Sequence, residues 1–395
     1  MTPLILVLNC GSSSIKFALF DGGTQPIPRT PLWNGKVDGI TGPHPDFGET
    51  GVAPHPLRLD PERPYHAALA HIRERVLARV GPDRRIAAVA HRVVHGGTHY
   101  ADPVRMDAKV LADLKGYIPL APLHQPFALE AIEELFRIDP ELPQVACFDT
   151  AFHRTQAVTE QMFALPWSAW ERGIRRYGFH GLSYEYMSHA LPERHGDGAR
   201  GRTIVAHLGS GASLCAMRNL ESVATSMGFS ALDGLVMGTR CGALDPGAVI
   251  YLMEIEKLSL EEVGRMLYHD SGLYGVSGVS PDPRELLPLE QDNERVRIAL
   301  ELYVHRIVRE IGALAAVLGG LDLLVFTAGI GEHNAVIRAR ACAALEWLGV
   351  RIDAEANNGH DAVISAPGSA VTVGVEKTNE EWIAAWHAAR LLADG

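Results

Sequence analysis

Two turns rich in glycine and serine carry the pieces needed to hold a polyphosphate: Asn9-Cys10-Gly11-Ser12-Ser13-Ser14-Ile15-Lys16 and Gly209-Ser210-Gly211-Ala212-Ser213. Glycine lets a phosphate approach the backbone closely, serine hydroxyls and N–H groups donate to its oxygens, and Lys16 adds a point charge. Taken alone, the first turn also reads as an ordinary serine-rich hairpin. It is not a Walker loop, because G-x-x-x-x-G-K-[ST] is missing and a strand follows instead of a helix. The second turn precedes the strand-like LCAM, so a dinucleotide loop fails on context.

Two arginines stand where a structural account is strained. Arg92 lies in AHRVVHGG, inside an apolar run that would ordinarily exclude a charge. Arg240 lies in MGTRCGALDPG, flanked by glycines. The planar fork of arginine suits carboxylate and phosphate oxygens, with a buried Arg–Asp pair as the structural alternative for each. His91, His95 and His99 recur every four residues, which on a helix would form a metal face. Val93-Val94 and the break at Gly96-Gly97 read instead as strand and turn, so zinc is not expected. His180, in the aromatic–glycine loop Tyr177-Gly178-Phe179-His180-Gly181, reads by itself as structural more readily than catalytic. Asp149 at a strand end and Glu380 at a helix start are candidates for a Mg²⁺ shell, since Mg²⁺ takes few carboxylates with waters and phosphate oxygens.

The elements that must position these groups are legible from periodicity. Leu4–Leu8 and Ile15–Phe20 read as a strand pair around the first turn. Residues 22–64, rich in Pro and Gly, predict short strands and loops near an exposed edge. His66–Val80 has helical spacing, with Leu69, Ile72, Val76 and Leu77 on one side and Gly81-Pro82 as the stop. Ile86–Val94 and Pro143–Phe148 are strand-like, with the helical run Pro126–Ile138 between them. A second strand pair opens at Thr203, 198 residues after the first when Gly11 is placed on Gly209, which predicts two lobes of related fold. Val296, Leu300, Tyr303, Ile307, Ile311, Leu314 and Leu318 mark a long helix closed by Gly319-Gly320. The strand Leu321–Thr327 and a last helix over Glu380–Ala393 complete an alternating α/β pattern with sites at strand ends.

The bulk properties agree. The chain has 395 residues, too many for one core of ordinary size, so two domains are expected. The formal net charge is −11, from 36 Lys+Arg against 47 Asp+Glu, and no basic stripe stands out, which argues against a nucleic-acid partner. Cys10, Cys147, Cys215, Cys241 and Cys342 form no C-x-x-C pair and read as buried thiols in a reducing compartment. With no signal-like start and no run of ~18 apolar residues, the expected location is the cytoplasm, away from membranes.

Taken together, LNCGSSSIKF, AHRVVHGG, APLHQP, CFDTAFH, YGFHG, HLGSGAS, SMGFSALDGLVMGTRCGALDPG, FTAGIGEHN and KTNEE resemble the acetate kinase family in order and spacing over nearly the whole chain. The resemblance implies an α/β fold of two ribonuclease-H-like lobes around a central nucleotide cleft, as in the sugar-kinase, actin and heat-shock-chaperone ATPases. Residues 1–150 would form the first lobe, joined by the C-terminal helix 381–395. Residues 151–380 would form the second, for nucleotide binding and homodimer formation. The implied reaction is reversible transfer of the ATP γ-phosphoryl group to acetate, giving acetyl phosphate and ADP, with Mg²⁺ as cofactor and Mn²⁺ as a substitute.

By the same resemblance Asn9 and Glu380 are the metal residues, and Ser12 and Lys16 are phosphate contacts. Nucleotide-binding segments are His207-Leu208-Gly209-Ser210-Gly211, Asp282 with Arg284, and Gly329-Ile330-Gly331-Glu332-His333. Arg92 binds the carboxylate, Asp149 is the catalytic acidic residue, and His180 and Arg240 stabilise the transition state. His124 is a further site histidine, and Val94, Leu123 and Phe179 line the alkyl pocket. A carboxylate substrate is already ionised at neutral pH, with a pKa near ~4, and needs no general base. Asp149 is therefore expected to orient Mg²⁺ or an arginine rather than abstract a proton.

Four positions depart from the family pattern. Ser210, Gln125 and His333 replace asparagines, and Ala231 replaces a proline that commonly lines the alkyl pocket. Ala231 predicts room for a longer acid, so activity on propionate is expected beside acetate. A propionate- or butyrate-preferring kinase is the near alternative. A non-transferring ATPase like actin or the chaperones is the distant one, and it leaves Arg92, Val94 and Phe179 without a purpose.

Overall fold

The structure, a computed structural model, describes residues 1–122 and 124–393. Leu123, assigned above to the alkyl pocket, lies outside the described residues. The chain divides into two compact units, Met1–Phe152 with Asn379–Gly395, and His153–Thr378.

In the first unit the strands are β1 (Thr2–Cys10), β2 (Ile15–Asp21), β3 (Trp33–Asp38), β4 (Asp46–Glu49), β5 (Val52–Pro56), β6 (Arg84–Val93), β7 (Val104–Arg105) and β8 (Gln144–Phe148). They form one sheet in the order β5-β4-β3-β2-β1-β6-β8-β7. The Pro- and Gly-rich stretch thus supplies the edge strands β3 to β5. β1 pairs antiparallel with β2 and parallel with β6, and β6 pairs parallel with β8. Parallel neighbours end on the same side of a sheet, so the residues that follow β1, β6 and β8 meet there.

One face of this sheet buries Phe17, Trp33 and Phe47 against the helix Pro64–Val80. That helix buries Tyr65, Ala68, Ile72, Val76 and Val80, whereas Leu77 is 55% exposed. The expected buried side was therefore misplaced at Leu77. It stands about 100° round the helix from Val76, off a stripe that the β-sheet needs only one residue wide. The C-terminal helix Glu380–Ala393 returns to pack on β1, β6 and β8. Its buried residues are Trp382, Ile383, Ala384, Ala385, His387, Ala388 and Ala389, and the four alanines let the helix lie close on the strands. Trp382 Nε1 donates to Ile27 O at 3.0 Å and fixes the start of the helix.

The second unit has β9 (Thr203–Leu208), β10 (Ala212–Arg218), β11 (Glu221–Thr225), β12 (Leu323–Thr327) and β13 (Thr372–Val375), ordered β11-β10-β9-β12-β13. The order and the senses of pairing repeat those of β3-β2-β1-β6-β8. Each unit thus has the ribonuclease-H-like sheet expected of it. The hairpins differ in one respect. The first turn runs from Gly11 to Ser14 inside the Cys10–Ile15 pair, and the second from Gly209 to Gly211 inside Leu208–Ala212, one residue shorter. Asn9 therefore corresponds to His207, and Lys16 to Ser213, since these form the next pair outward in each hairpin.

The long helix Glu294–Leu318 buries all seven residues that its periodicity picked out. Asn293 caps it, accepting from the N–H groups of Arg295 and Val296, and Gly319 ends it in the left-handed region at φ 72°.

Because Glu380 rides on the C-terminal helix, Ile383 is a test of that helix's anchorage. Ile383→Ala empties a fully buried position and is expected to lower stability by about 3 kcal/mol, read as a fall in the urea midpoint at unchanged slope.

Candidate active site

In the first unit the candidate residues gather at the carboxyl ends of the parallel strands. Leu8 pairs with His91, which sets Asn9 beside Arg92, and Arg92 pairs with Cys147, two residues before Asp149. Arg92 Nε and Nη2 donate to Asp149 Oδ1 and Oδ2 at 2.9 and 2.6 Å, a bidentate fork. Its Nη1 lies 3.4 Å from Asn9 Oδ1 and 3.4 Å from Glu380 Oε2. Burial opposes the charge on Arg92, but Asp149 and then Glu380 more than offset it and hold its pKa above the ordinary arginine value. Burial and the neighbouring Glu380 push the Glu381 carboxyl up, with Lys16 and Arg92 pulling against them. Lys16 is therefore in electrostatic range of this cluster. Ser12 is exposed in the first turn, which Gly11 N closes by donating to Ser14 O at 2.8 Å.

The other first-unit candidates stand nearby in the chain. Val94 follows β6 and is half-buried, and His124 sits at the head of the helix Gln125–Ile138. Gln125 has a structural task. Its Nε2 donates to His95 O at 2.9 Å while its Oε1 accepts from His95 N at 3.1 Å, which pins the loop after β6. His91 is bound through Nε2 to Gln144 Oε1 at 2.8 Å, and burial pulls its pKa down to about 4.

In the second unit the centre is the short turn Gly209–Gly211. A methyl group built on Gly211 would lie 3.4 Å from both His180 Nε2 and Arg240 Nη1, so these two groups flank the turn. Arg240 Nη1 donates to Ala231 O at 3.2 Å. The ring of His180 stacks on His207 with centroids 4.2 Å apart, and its Nδ1 lies 2.8 Å from Ser213 Oγ. His207 Nδ1 lies 2.9 Å from Ser183 Oγ.

His180 is held at φ 58°, a left-handed conformation uncommon for a residue with a side chain. The loop before it is clamped by His153, which is buried. His153 Nε2 lies 2.9 Å from Phe179 O and its Nδ1 2.9 Å from Ser222 Oγ. Burial takes the His153 pKa down to about 4, so it is neutral and Nε2–H donates to the carbonyl. Gly178, at φ 74°, packs on that ring so closely that a Cβ would come within 2.5 Å of it. The glycine of YGFHG is thus required by His153, and Phe179 is buried at 2% exposure.

Residues at the edges of the other two segments assigned to nucleotide pack near the same turn. Gly209 faces the Ala328 side chain, and Gly238 is wedged between Pro281 and the carbonyl of Ser210. Leu208, which closes the turn, is buried. Asp282 caps its short helix by accepting from Arg284 N, and the Arg284 side chain folds back onto it, which holds the Asp282 carboxyl below its usual range. Gly329, Ile330, Gly331, Glu332 and His333 lie in the helix Ala328–His333, directly after β12. Glu332 Oε1 accepts from Ala328 N at 2.9 Å and Thr378 N at 3.2 Å, and His333 is exposed. The fully buried Arg338 donates to Gly331 O and Glu332 O at 2.8 and 2.9 Å, and to Asn357 Oδ1.

Sequence reasoning did not reach His153, Ser183, Tyr184 or Arg338, and it named Ser213 only as part of the second turn, without its tie to His180. His153, Ser183, Tyr184 and Ser213 act on partners 24 or more positions away in the chain, and Arg338 on two carbonyls six and seven positions back and on Asn357, so spacing carried little sign of them. Only His153, inside CFDTAFH, and Ser213, inside HLGSGAS, lay in segments already singled out.

Comparison with known proteins gives the arrangement a relative. The sequence profile of the acetokinase family matches residues 4–386. The chain is 48% identical over 401 residues to an acetate kinase of Rhodopseudomonas palustris, covering 100% of both chains. It is 46% identical to one of Methylocella silvestris, over 99% of this chain and 98% of the other. Among solved structures, Porphyromonas gingivalis acetate kinase superposes with a TM-score of 0.86 at 36% identity, over 99% of this chain and 100% of that one. A propionate kinase from Francisella tularensis gives 0.87 at 36% identity, over 98% and 99%. The two-sheet α/β fold is the two-lobe, actin-like fold of these kinases. Matched along almost all of its length by profile, sequence and structure alike, this chain belongs to the acetokinase family.

Proposed function

We propose that this chain catalyses the reversible, Mg²⁺-dependent transfer of the γ-phosphoryl group of ATP to acetate, yielding acetyl phosphate and ADP by direct in-line displacement. The observation that carries this reading is the fork of Arg92 on Asp149 with Asn9 and Glu380 beside it, in a chain of this family. An acetate oxygen attacks Pγ as the bond from Pγ to the β–γ bridging oxygen breaks, and ADP departs with that electron pair. The acid arrives ionised, so no side chain need remove a proton. Asp149 is already committed to Arg92, which fits an orienting role and not that of a base.

In this reading Arg92 binds the carboxylate, while Arg240 and His180 neutralise charge on the equatorial phosphoryl oxygens. Lys16, Ser12 and the turn His207–Gly211 hold phosphates, and the segments at Asp282–Arg284 and Gly329–His333 hold the nucleoside. Asn9 and Glu380 would hold the Mg²⁺. Two hard oxygen donors near one another suit an ion that keeps waters and phosphate oxygens as its remaining ligands. When bound, it would neutralise phosphate charge.

A second copy of the chain is the proposed partner. The helix Pro246–Glu254 contains no buried residue although its sequence is PGAVIYLME. Ile250, Tyr251, Ile255 and Leu260 are 53–76% exposed, an apolar surface of the kind that marks an interface. The proposed compartment is the cytoplasm. Among the described residues no helix is long and apolar enough to cross a membrane, and none of the five cysteines is in a disulfide.

Trapping of acyl phosphate with hydroxylamine, in the presence of ATP and Mg²⁺, tests the reaction across a panel of acids. Acetyl hydroxamate is expected; ATP turnover independent of any acid would favour the ATPase reading instead. Asp149→Asn keeps the shape but loses the charge-assisted fork, and kcat is expected to fall by about 10²–10³. Ala231 leaves a small side chain where the family's ring would stand, so kcat/KM for propionate should lie within a hundredfold of that for acetate. For the dimer, sedimentation should show two copies for the wild type and one for Ile250→Asp, which places a charge in the apolar face and weakens association by about 2 kcal/mol or more.

A further inference from the structure

His180 presents Nε2 toward the turn at Gly211, but an imidazole can serve an anionic phosphoryl group only if that nitrogen carries the proton. Which nitrogen is protonated depends on what the other one meets. Its Nδ1 meets Ser213 Oγ at 2.8 Å, and Ser213 Oγ meets Tyr184 Oη at 2.5 Å. Ser213 and Tyr184 are both fully buried, so these contacts are made away from water. The serine hydroxyl owns one proton and the phenol owns one. A phenol is the stronger donor of the two, so the short contact is best made by Tyr184 O–H donating to Ser213 Oγ. The serine proton is then directed at His180 Nδ1, which must accept, and the ring proton is left on Nε2.

We propose that Tyr184 and Ser213 are positioning residues that set the tautomer of His180, fixing it as the Nε2–H form with its donor toward the Gly209–Gly211 turn. Three features of the local fold serve this arrangement. His153 and Gly178 clamp the loop so that His180 can hold its left-handed backbone. His180 directly precedes the helix Gly181–His195, which carries Tyr184 one turn on. Ser213 lies on β10 at the place that Lys16 occupies in the first hairpin. Arg240 Nη1, the other group beside Gly211, donates to Ala231 O, which holds the guanidinium next to the turn. This inference rests on the reading above that His180 contacts the transferred phosphoryl group, but the tautomer itself does not.

The test is ¹⁵N NMR of the full-length protein with labelled histidine, His180→Gln supplying the assignment, on the resting enzyme at neutral pH. The wild type should show a protonated Nε2 and an unprotonated Nδ1 on His180. Ser213→Ala should give a mixture of tautomers and lower kcat about tenfold, the rate equivalent of one hydrogen bond, with KM for ATP unchanged. An Nδ1–H tautomer in the wild type overturns the proposal, as does a Ser213→Ala protein that folds and keeps both tautomer and kcat. Should that variant not fold, Tyr184→Phe, which removes only a hydroxyl, takes its place under the same two criteria. Wild-type enzyme with the expected tautomer but no acetyl hydroxamate would defeat the functional reading and leave the tautomer assignment standing.

Discussion

A guanidinium placed in an apolar strand is unstable unless an anion meets it, and in this chain Arg92 on β6 is met by Asp149 at the end of β8. Removing one partner from such a pair leaves a charge largely out of water, with a penalty of about 3–5 kcal/mol at fully buried sites. The fork therefore needs β6 and β8 in parallel register, and that register brings the end of β1 to the same place. Asn9 and Glu380 complete the group, so four segments far apart in sequence are tied at one point. The packing of the C-terminal helix on β1, β6 and β8 has the same consequence, since it carries Glu380.

The two hairpins show how one architecture carries different chemistry. Their strands pair in the same senses and their turns both combine glycine with serine, yet the second turn is one residue shorter. The position that holds a lysine in the first hairpin then holds Ser213 in the second. A fixed positive charge is replaced by a neutral hydroxyl that meets a histidine, and cationic character in that unit comes instead from Arg240. The shorter turn also leaves Gly211 open to His180 and Arg240, with room that a side chain would fill.

Much of the scaffold was readable in advance because it depends on short-range pattern. The seven residues of the long helix follow a three–four repeat with a C-terminal glycine, and all seven are buried. Leu77 shows the limit, for apolar character alone did not reveal how narrow the buried stripe would be. His180 shows another. Its loop read more readily as structural, and indeed the structural histidine of the region is His153, twenty-seven residues earlier in the chain and bonded to the carbonyl of Phe179. The need for glycine at 178 could not be traced to that ring until the two were seen in contact.

The residue types able to do the chemistry, the strands and helices that carry them, and the family they belong to could all be taken from the chain as a string. Those properties are local: a glycine-rich turn, a three–four repeat or an ordered run of motifs has the same meaning wherever it folds. Partnership is not local. That Arg92 is held by Asp149, that Gly178 yields to His153, and that Ser213 meets both His180 and Tyr184 were decided by strand register and helix packing, which bring together residues between 25 and 57 positions apart. The turn at Gly209–Gly211 was recognisable from its own residues, but which donors stand around it was settled only when the sheet had been assembled.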